Sequence, residues 1–407
     1  MNSKDKEIIR GLAARYMEIA TSERQAEAFR RMRDTNDLKL VRPPVIISEI
    51  PWYQINIDDE LTCLCEDPRA RRAEDTLRHH LYYAKHFKAD GFFEPFYRIT
   101  MSYDKSGRGL EPRENIIRTD AQNRIVSHEY IDVLEDESSV DELLIPTFTA
   151  RPDRDADNME YYTELFGDSM PVELRGVGNL YSAPWDVIAR YRGMEPILYD
   201  LYDRPEHLHA IMDNFCAAIK AEVDFIEKNL HVDPDSKNLH CTPSLVSGLD
   251  EDGLGATWYR GMAQGFSEVS PEMFEEFEID HIRPIAERYK YTYYGCCEPL
   301  DRKFEQVKKI KNLRKVGVSP WSNIDFMAEQ IGGDFVYARK PNPANVAIST
   351  DPEVIRRETE ETVRACIRYG CPCELVLKDI SGVSHKPENL IVWSETVSAV
   401  LDEYYGK

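Results

Sequence analysis

The densest chemistry in the chain lies in the run Tyr293-Tyr-Gly-Cys-Cys-Glu-Pro299. Thiolates hold soft or borderline ions such as zinc, and adjacent cysteines at a bend can aim at least one sulfur at a site that carboxylate or imidazole groups complete to a tetrahedron. Free cysteines are also ordinary small buried hydrophobes, so position decides, and Glu298 beside the pair favours a metal. His240-Cys241 offers a further ring nitrogen or sulfur, against the plain reading of a core histidine bonded to backbone. Lys378-Asp379 follows the apolar run Glu374-Leu-Val-Leu, where a carboxylate has little packing reason to exist; an ion pair between the two is the bland account. Metal candidates are therefore Cys296, Cys297, His240 and Asp379, and catalytic candidates are Glu298, Asp379 and Lys378. Glu49, Glu94, Trp258, Trp321 and Arg339 are candidate substrate contacts. Trp258-Tyr259 and Phe92-Phe93 suit a pocket wall, although such aromatics are more often core, and Arg339-Lys340 can hold a carboxylate or phosphate.

These residues gain a common location if they end strands of one sheet. Short apolar runs bounded by Pro, Gly or Asp alternate with amphipathic segments, the pattern of βα units. The runs fall at 44–48, 91–97, 172–178, 238–243, 291–296, 313–318, 334–338 and 374–378. Eight strands alternating with helices predict a (β/α)8 TIM barrel over 41–407, whose loops after the strands converge on one face. Helices are predicted at 71–87, 204–229, 271–289, 351–369 and 387–404. Residues 1–40 read as an N-terminal helical extension. The interval 98–170 is too long for one crossover; it carries a hairpin pattern, 114–119 against 124–130, and reads as an inserted lid. Cys371 and Cys373 precede the last run and belong at the opposite face, so their spacing is not read as a metal motif.

Composition narrows the partners. Fifty-one Lys and Arg against 73 Asp and Glu leave a net charge of −22, which disfavours nucleic acid and anionic membrane surfaces. No run reaches the roughly 18–20 apolar residues of a membrane helix, and the first residues lack a signal-peptide core, so the expected address is cytoplasmic. Nine scattered cysteines read as reduced thiols rather than a disulfide framework.

Several segments together resemble the uroporphyrinogen decarboxylase superfamily. They are Gly178-Asn-Leu-Tyr-Ser-Ala-Pro-Trp, Asp200-Leu-Tyr-Asp-Arg-Pro-Glu, Val269-Ser-Pro-Glu-Met-Phe-Glu-Glu-Phe, the Tyr-Gly-Cys-Cys-Glu-Pro run, and Pro387-Glu-Asn after the last strand. The superfamily contains decarboxylases and zinc-dependent methyltransferases that exchange methyl groups with corrinoids or thiols. The decarboxylases resemble one another in an arginine-rich clamp after the first strand; here that place reads Ile47-Ser-Glu-Ile-Pro-Trp-Tyr-Gln54, and Glu49 would repel a polyacid.

The resemblance to the methyltransferase branch implies a His-x-Cys at the fifth strand and a Cys after the eighth. Those places hold Tyr294-Gly-Cys296, or Gly295-Cys-Cys297, and Asp379, with Glu298 and His240 as substitute ligands. The expectation is a zinc-dependent methyltransferase acting on a small methyl donor or acceptor. Its corrinoid (cobalamin) is expected on a separate protein, because no Asp-x-His-x-x-Gly segment occurs here; a homodimer is left open. The alternative is a decarboxylase of a pyrrolic or aromatic acid held by Arg339, Lys340 and Lys378; a third reading is a catalytically silent ligand-binding barrel.

Overall fold

The computed structural model describes residues 2–117 and 126–406. In chain order its parallel strands are β1 (Val45–Ile47), β2 (Tyr97–Thr100), β3 (Val172–Arg175), β4 (Leu180–Ser182), β5 (Trp258–Gly261), β6 (Tyr291–Tyr294), β7 (Leu313–Val318), β8 (Val336–Arg339) and β9 (Cys373–Leu377). Seven of them form one sheet in the order β1-β9-β8-β7-β6-β5-β4, parallel throughout; β2 and β3 pair separately, also in parallel. Sandwiched strands bury both faces, and β9, Cys-Glu-Leu-Val-Leu, is buried at all five positions.

The sheet is curled. Trp258, Tyr293 and Ala338, from β5, β6 and β8, meet Leu239 and Val246 on its inner side. Ile46 of β1 and Val376 of β9 meet Cys241 and Leu245 there. The expected strand at 238–243 is therefore not a sheet strand. It is a short antiparallel hairpin, Asn238–Leu239 against Thr242–Pro243, filling the interior. His240 turns it with φ of 62°, a conformation no continuous strand contains. The strand expected there is supplied instead by β5. The run 91–97 also fails as a strand until Tyr97, since Pro95 has no N–H to give a ladder.

Three buried groups lock the hairpin in place. Lys315 of β7 donates from Nζ to Thr242 Oγ1 at 2.8 Å, Pro243 O at 2.7 Å and Glu374 Oε2 of β9 at 2.7 Å. From outside the sheet, Asn36 Nδ2 donates to Pro243 O at 3.2 Å and Leu245 O at 2.7 Å. Asn36 ends α2 (Glu23–Asn36), which follows α1 (Ser3–Ala20); Asn2 and Ser22 cap the two helices by accepting from backbone N–H groups. The N-terminal extension is thus helical and seals one end of the interior.

Helices Pro205–Asn229, Pro352–Tyr369 and Glu388–Tyr405 match the predicted spans closely. The helix at 271–289 does not run through: a π-turn, Glu275–Ile279, interrupts it, and Pro284 lies inside its last part. In the insertion, Arg113–Ile117 pairs antiparallel with Ser127–Ile131 as expected; the residues joining them lie outside the described ones. A second ribbon, Tyr103–Lys105 against Phe148–Ala150, lies along the helix Pro205–Asn229, where Tyr103 donates to Glu222 at 2.7 Å. Among the described residues no helix is long and apolar enough to cross a membrane.

Candidate metal centre

Three strand ends converge. After β6 the chain turns through Gly295, with φ of 101°; a Cβ there would stand 2.8 Å from Leu300 Cδ1 and 3.4 Å from Gly317 Cα, so only glycine fits. Cys296 and Cys297 follow at once. After β9 comes Asp379 with φ of 57°, and after β1 comes Glu49 with φ of 53°. Because β1 and β9 are neighbours, the two bends meet: Asp379 N donates to Glu49 Oε2 at 2.8 Å.

Side chains from these ends form one cluster. The sulfurs of Cys296 and Cys297 are 3.5 Å apart, and Cys297 Sγ is within hydrogen-bond reach of both Cys296 Sγ and the Asp379 carboxylate, so that its single S–H is shared between them. Lys378 Nζ donates to Cys296 Sγ at 3.1 Å and Asp379 Oδ1 at 2.7 Å, and stands 3.6 Å from Glu49 Oε2. One ligand atom each from Cys296, Cys297 and Asp379 lies within 4.8 Å of the others. The sulfur separation is near the about 3.8 Å edge of a tetrahedron with Zn–S bonds of about 2.3 Å. These donors therefore fit a three-residue metal site with one open position.

Electrostatics favour a single thiolate in the pair. The hydrogen bond from Cys297 pulls the Cys296 thiol down against burial, helped by Arg260 and Lys378, and the charge so formed pushes Cys297 up. Lys378 is held protonated: burial lowers its pKa, but the thiols and Asp379 raise it further. For Glu49, burial acts upward and is outweighed by the hydrogen bond from His240 and the Lys378 charge, leaving about 2. Burial raises Glu298 to about 7 and Asp186 to about 6, so acid groups that are not fully ionised lie close behind the thiols.

The remaining candidates separate. His240 Nε2 is 3.4 Å from Glu49 Oε1, and its ring stacks on Tyr181 at 4.8 Å, so it touches the cluster through Glu49 rather than through the sulfurs. Glu298 is 2% exposed and accepts from the backbone N–H groups of Cys296 at 3.0 Å and Ala263 at 3.4 Å, which makes it a brace for the cysteine loop. Trp258 is fully buried in the interior core, whereas Trp321 is 72% exposed. Arg339 bonds Glu358 at 2.9 Å and Ser319 O. Glu94 pairs with Arg98 and faces a separate cleft with Lys237. Beside the cluster opens a cavity of about 220 Å³ lined by Glu49, Trp52, His79, Phe92, Phe93 and Cys241. Trp52, whose ring stacks on His79 at 4.1 Å, and Arg260 were missed in the sequence; in Trp-Tyr-Arg-Gly only the strand period would have turned Arg260 inward.

The chain matches no protein-family model and no curated protein. The geometry of the site therefore carries the functional argument.

Proposed function

We propose that the chain is a zinc-dependent methyltransferase resembling the uroporphyrinogen decarboxylase superfamily, moving a methyl group between a small substrate and a corrinoid on a separate protein. The observation that carries this reading is the donor set Cys296, Cys297 and Asp379 at the sheet's C-terminal edge, where βα loops converge. In the same reading β3 and β4, only four residues apart, are one interrupted strand, and β2, paired with β3, stands between it and β1 as the eighth strand of a (β/α)8 barrel.

Zinc bound there supplies Lewis acidity, lowering the pKa of an acceptor or polarising the atom that leaves the methyl group. Every other role belongs to the chain. Lys378 holds the charge of Cys296 and orients Asp379, while Glu49 fixes the Asp379 backbone. The 220 Å³ cavity places a substrate against Glu49; its volume is below the roughly 300–1,000 Å³ of sites for drug-sized ligands, which suits a small molecule better than a tetrapyrrole. For a decarboxylase, two of the three clamping cations are already committed: Arg339 to Glu358, and Lys378 to Cys296 and Asp379.

Elemental analysis after zinc supplementation should find about one zinc per wild-type chain and little in Cys296→Ser/Cys297→Ser. Equal, negligible zinc in both sinks the metal reading. Methyl transfer is read from the absorbance change of free cobalamin mixed with methyl ethers, thiols or folate-like acceptors. Uroporphyrinogen decarboxylation with no methyl transfer across that panel supports the decarboxylase instead.

A further inference from the structure

Behind the thiol pair, the inner side of the sheet holds two buried cations with N–H donors that no protein group accepts. Arg260 of β5 is fully buried; its Nη2 reaches Gly295 O at 3.5 Å and Met262 Sδ at 3.9 Å, while Nε and Nη1 have no hydrogen-bond partner. Lys340, which follows β8, is 1% exposed, and its Nζ has none either. Both flank Tyr293 of β6: the Arg260 guanidinium carbon is 4.9 Å and Lys340 Nζ 5.4 Å from the ring centroid. The buried Tyr293 hydroxyl is likewise unpartnered. A ring face offsets some of a cation's charge but accepts none of these N–H donors in the plane where they point.

The other buried cations on this wall are different. Lys315 pairs with Glu374, Lys378 with Asp379, and Arg339 with Glu358. The Cys296 thiolate offsets part of the Arg260 charge, but the Arg260 Nε and Nη1 donors, Lys340 Nζ and the Tyr293 hydroxyl are all buried without an acceptor. Buried donors left unbonded are unfavourable, and this set marks a place built for an anion.

We infer that Arg260, Lys340 and the Tyr293 hydroxyl form a subsite for one carboxylate group of the substrate. Two positive charges stand within 5.4 Å of the Tyr293 ring centroid, and their unused N–H donors together with the Tyr293 O–H suit a group that only accepts. Tyr181 leads to it: its ring is 40% exposed, lies 5.2 Å from the Arg260 guanidinium and stacks on His240, which touches Glu49 at the cavity wall. Arg260 bonds the carbonyl of Gly295, the residue before Cys296, so a carboxylate held there leaves the rest of a small molecule beside the thiols. The inference rests on the methyl-transfer reading for what happens to that molecule. The subsite itself does not depend on it.

The test is thermal unfolding of the full chain in sodium acetate, benzoate, phosphate or chloride, each against sodium HEPES at equal ionic strength. Binding to the native state alone raises Tm with the logarithm of ligand concentration. A saturable rise with acetate or benzoate is expected in wild type. Lys340→Met should unfold at a higher temperature than wild type without carboxylate, since an unpaired cation is gone, and should bind carboxylate at least tenfold more weakly. Arg260→Lys, which keeps the charge, should weaken carboxylate binding without the gain in Tm. A wild-type Tm indifferent to carboxylates, a stronger response to phosphate or chloride, or a Lys340→Met variant that is less stable yet retains the carboxylate response would each overturn the proposal. Neither zinc nor corrinoid enters the measurement, so its outcome is separate from the outcome for methyl transfer.

Discussion

Glu49, His240 and Asp379 share a backbone state that β-carbons resist. Each has a positive φ, at a cost of about 1–2 kcal/mol, and all three sit at the thiol cluster. Asn tolerates this conformation as well as Asp does, so Asp379→Asn should fold with a Tm close to wild type while its zinc content falls; a large loss of stability would show a structural carboxylate instead. Glu278, on the π-turn, gives a second test. It is fully buried, accepts from Tyr294 OH at 3.0 Å, and has no partner for its other oxygen. Burial raises its pKa well above the ordinary 4.5. Below pH 4.5 the carboxyl is protonated both folded and unfolded; above it the unfolded chain ionises first, so folding loses about 1.4 kcal/mol per pH unit until the native group titrates. Urea unfolding should find Glu278→Gln level with wild type at pH 4 and increasingly more stable than wild type as the pH rises above 4.5. An equal gap at both pH values refutes the buried acid. The Cys296, Cys297 and Asp379 cluster was legible because polar side chains ended apolar runs, whereas Arg260 and Glu278 hide inside aromatic or acidic stretches whose facing only packing decides.

At the scale of elements, local pattern located β1, β6, β7, β8 and β9, since a doubly buried parallel strand is a continuous apolar run with a turn signal at its end. It failed at 238–243, where a mixed run that buries Leu239, Cys241, Thr242 and Pro243 but exposes Asn238 and His240 forms a hairpin enclosed by strands distant in sequence. Periodicity reports that a segment is buried, not what encloses it. The hairpin's anchor, Lys315 with Glu374 and Thr242, is therefore a long-range feature that can be tested as a unit. Lys315→Met strands a buried carboxylate and should cost about 3–5 kcal/mol in chemical denaturation, while Lys315→Met/Glu374→Leu should recover most of it. A double variant as unstable as the single would mean that the hairpin needs this ion pair for more than charge balance.

At the scale of the whole molecule, the N-terminal helices read in sequence as an extension beside a barrel, yet they pack into the core of the curled sheet. Ile9, Ala13 and Met32 are completely buried. Ile9 and Ala13 belong to the core cluster that also holds Val45 and Ile47 of β1, Leu375 and Leu377 of β9, and Trp393 of the last helix. Met32 packs with Ile46, Cys241 and Val376, and Asn36 satisfies two carbonyls of the hairpin segment while its own carbonyl accepts from Arg314 at 3.0 Å. Removing residues 2–36 would expose that apolar surface and leave Leu245 O without its Asn36 donor and Pro243 O with Lys315 alone, a loss of several kcal/mol from a molecule whose class is stable by only about 5–15 kcal/mol. The truncated chain should therefore be insoluble or lack a cooperative unfolding transition, and the intact chain should unfold with its N-terminal helices and thiol centre in one step. Coincident transitions by far-ultraviolet dichroism and by thiol accessibility would show this. A soluble 37–407 fragment with wild-type Tm and unchanged zinc content would instead make the two helices an appendage, and the sequence reading of a separate extension would stand.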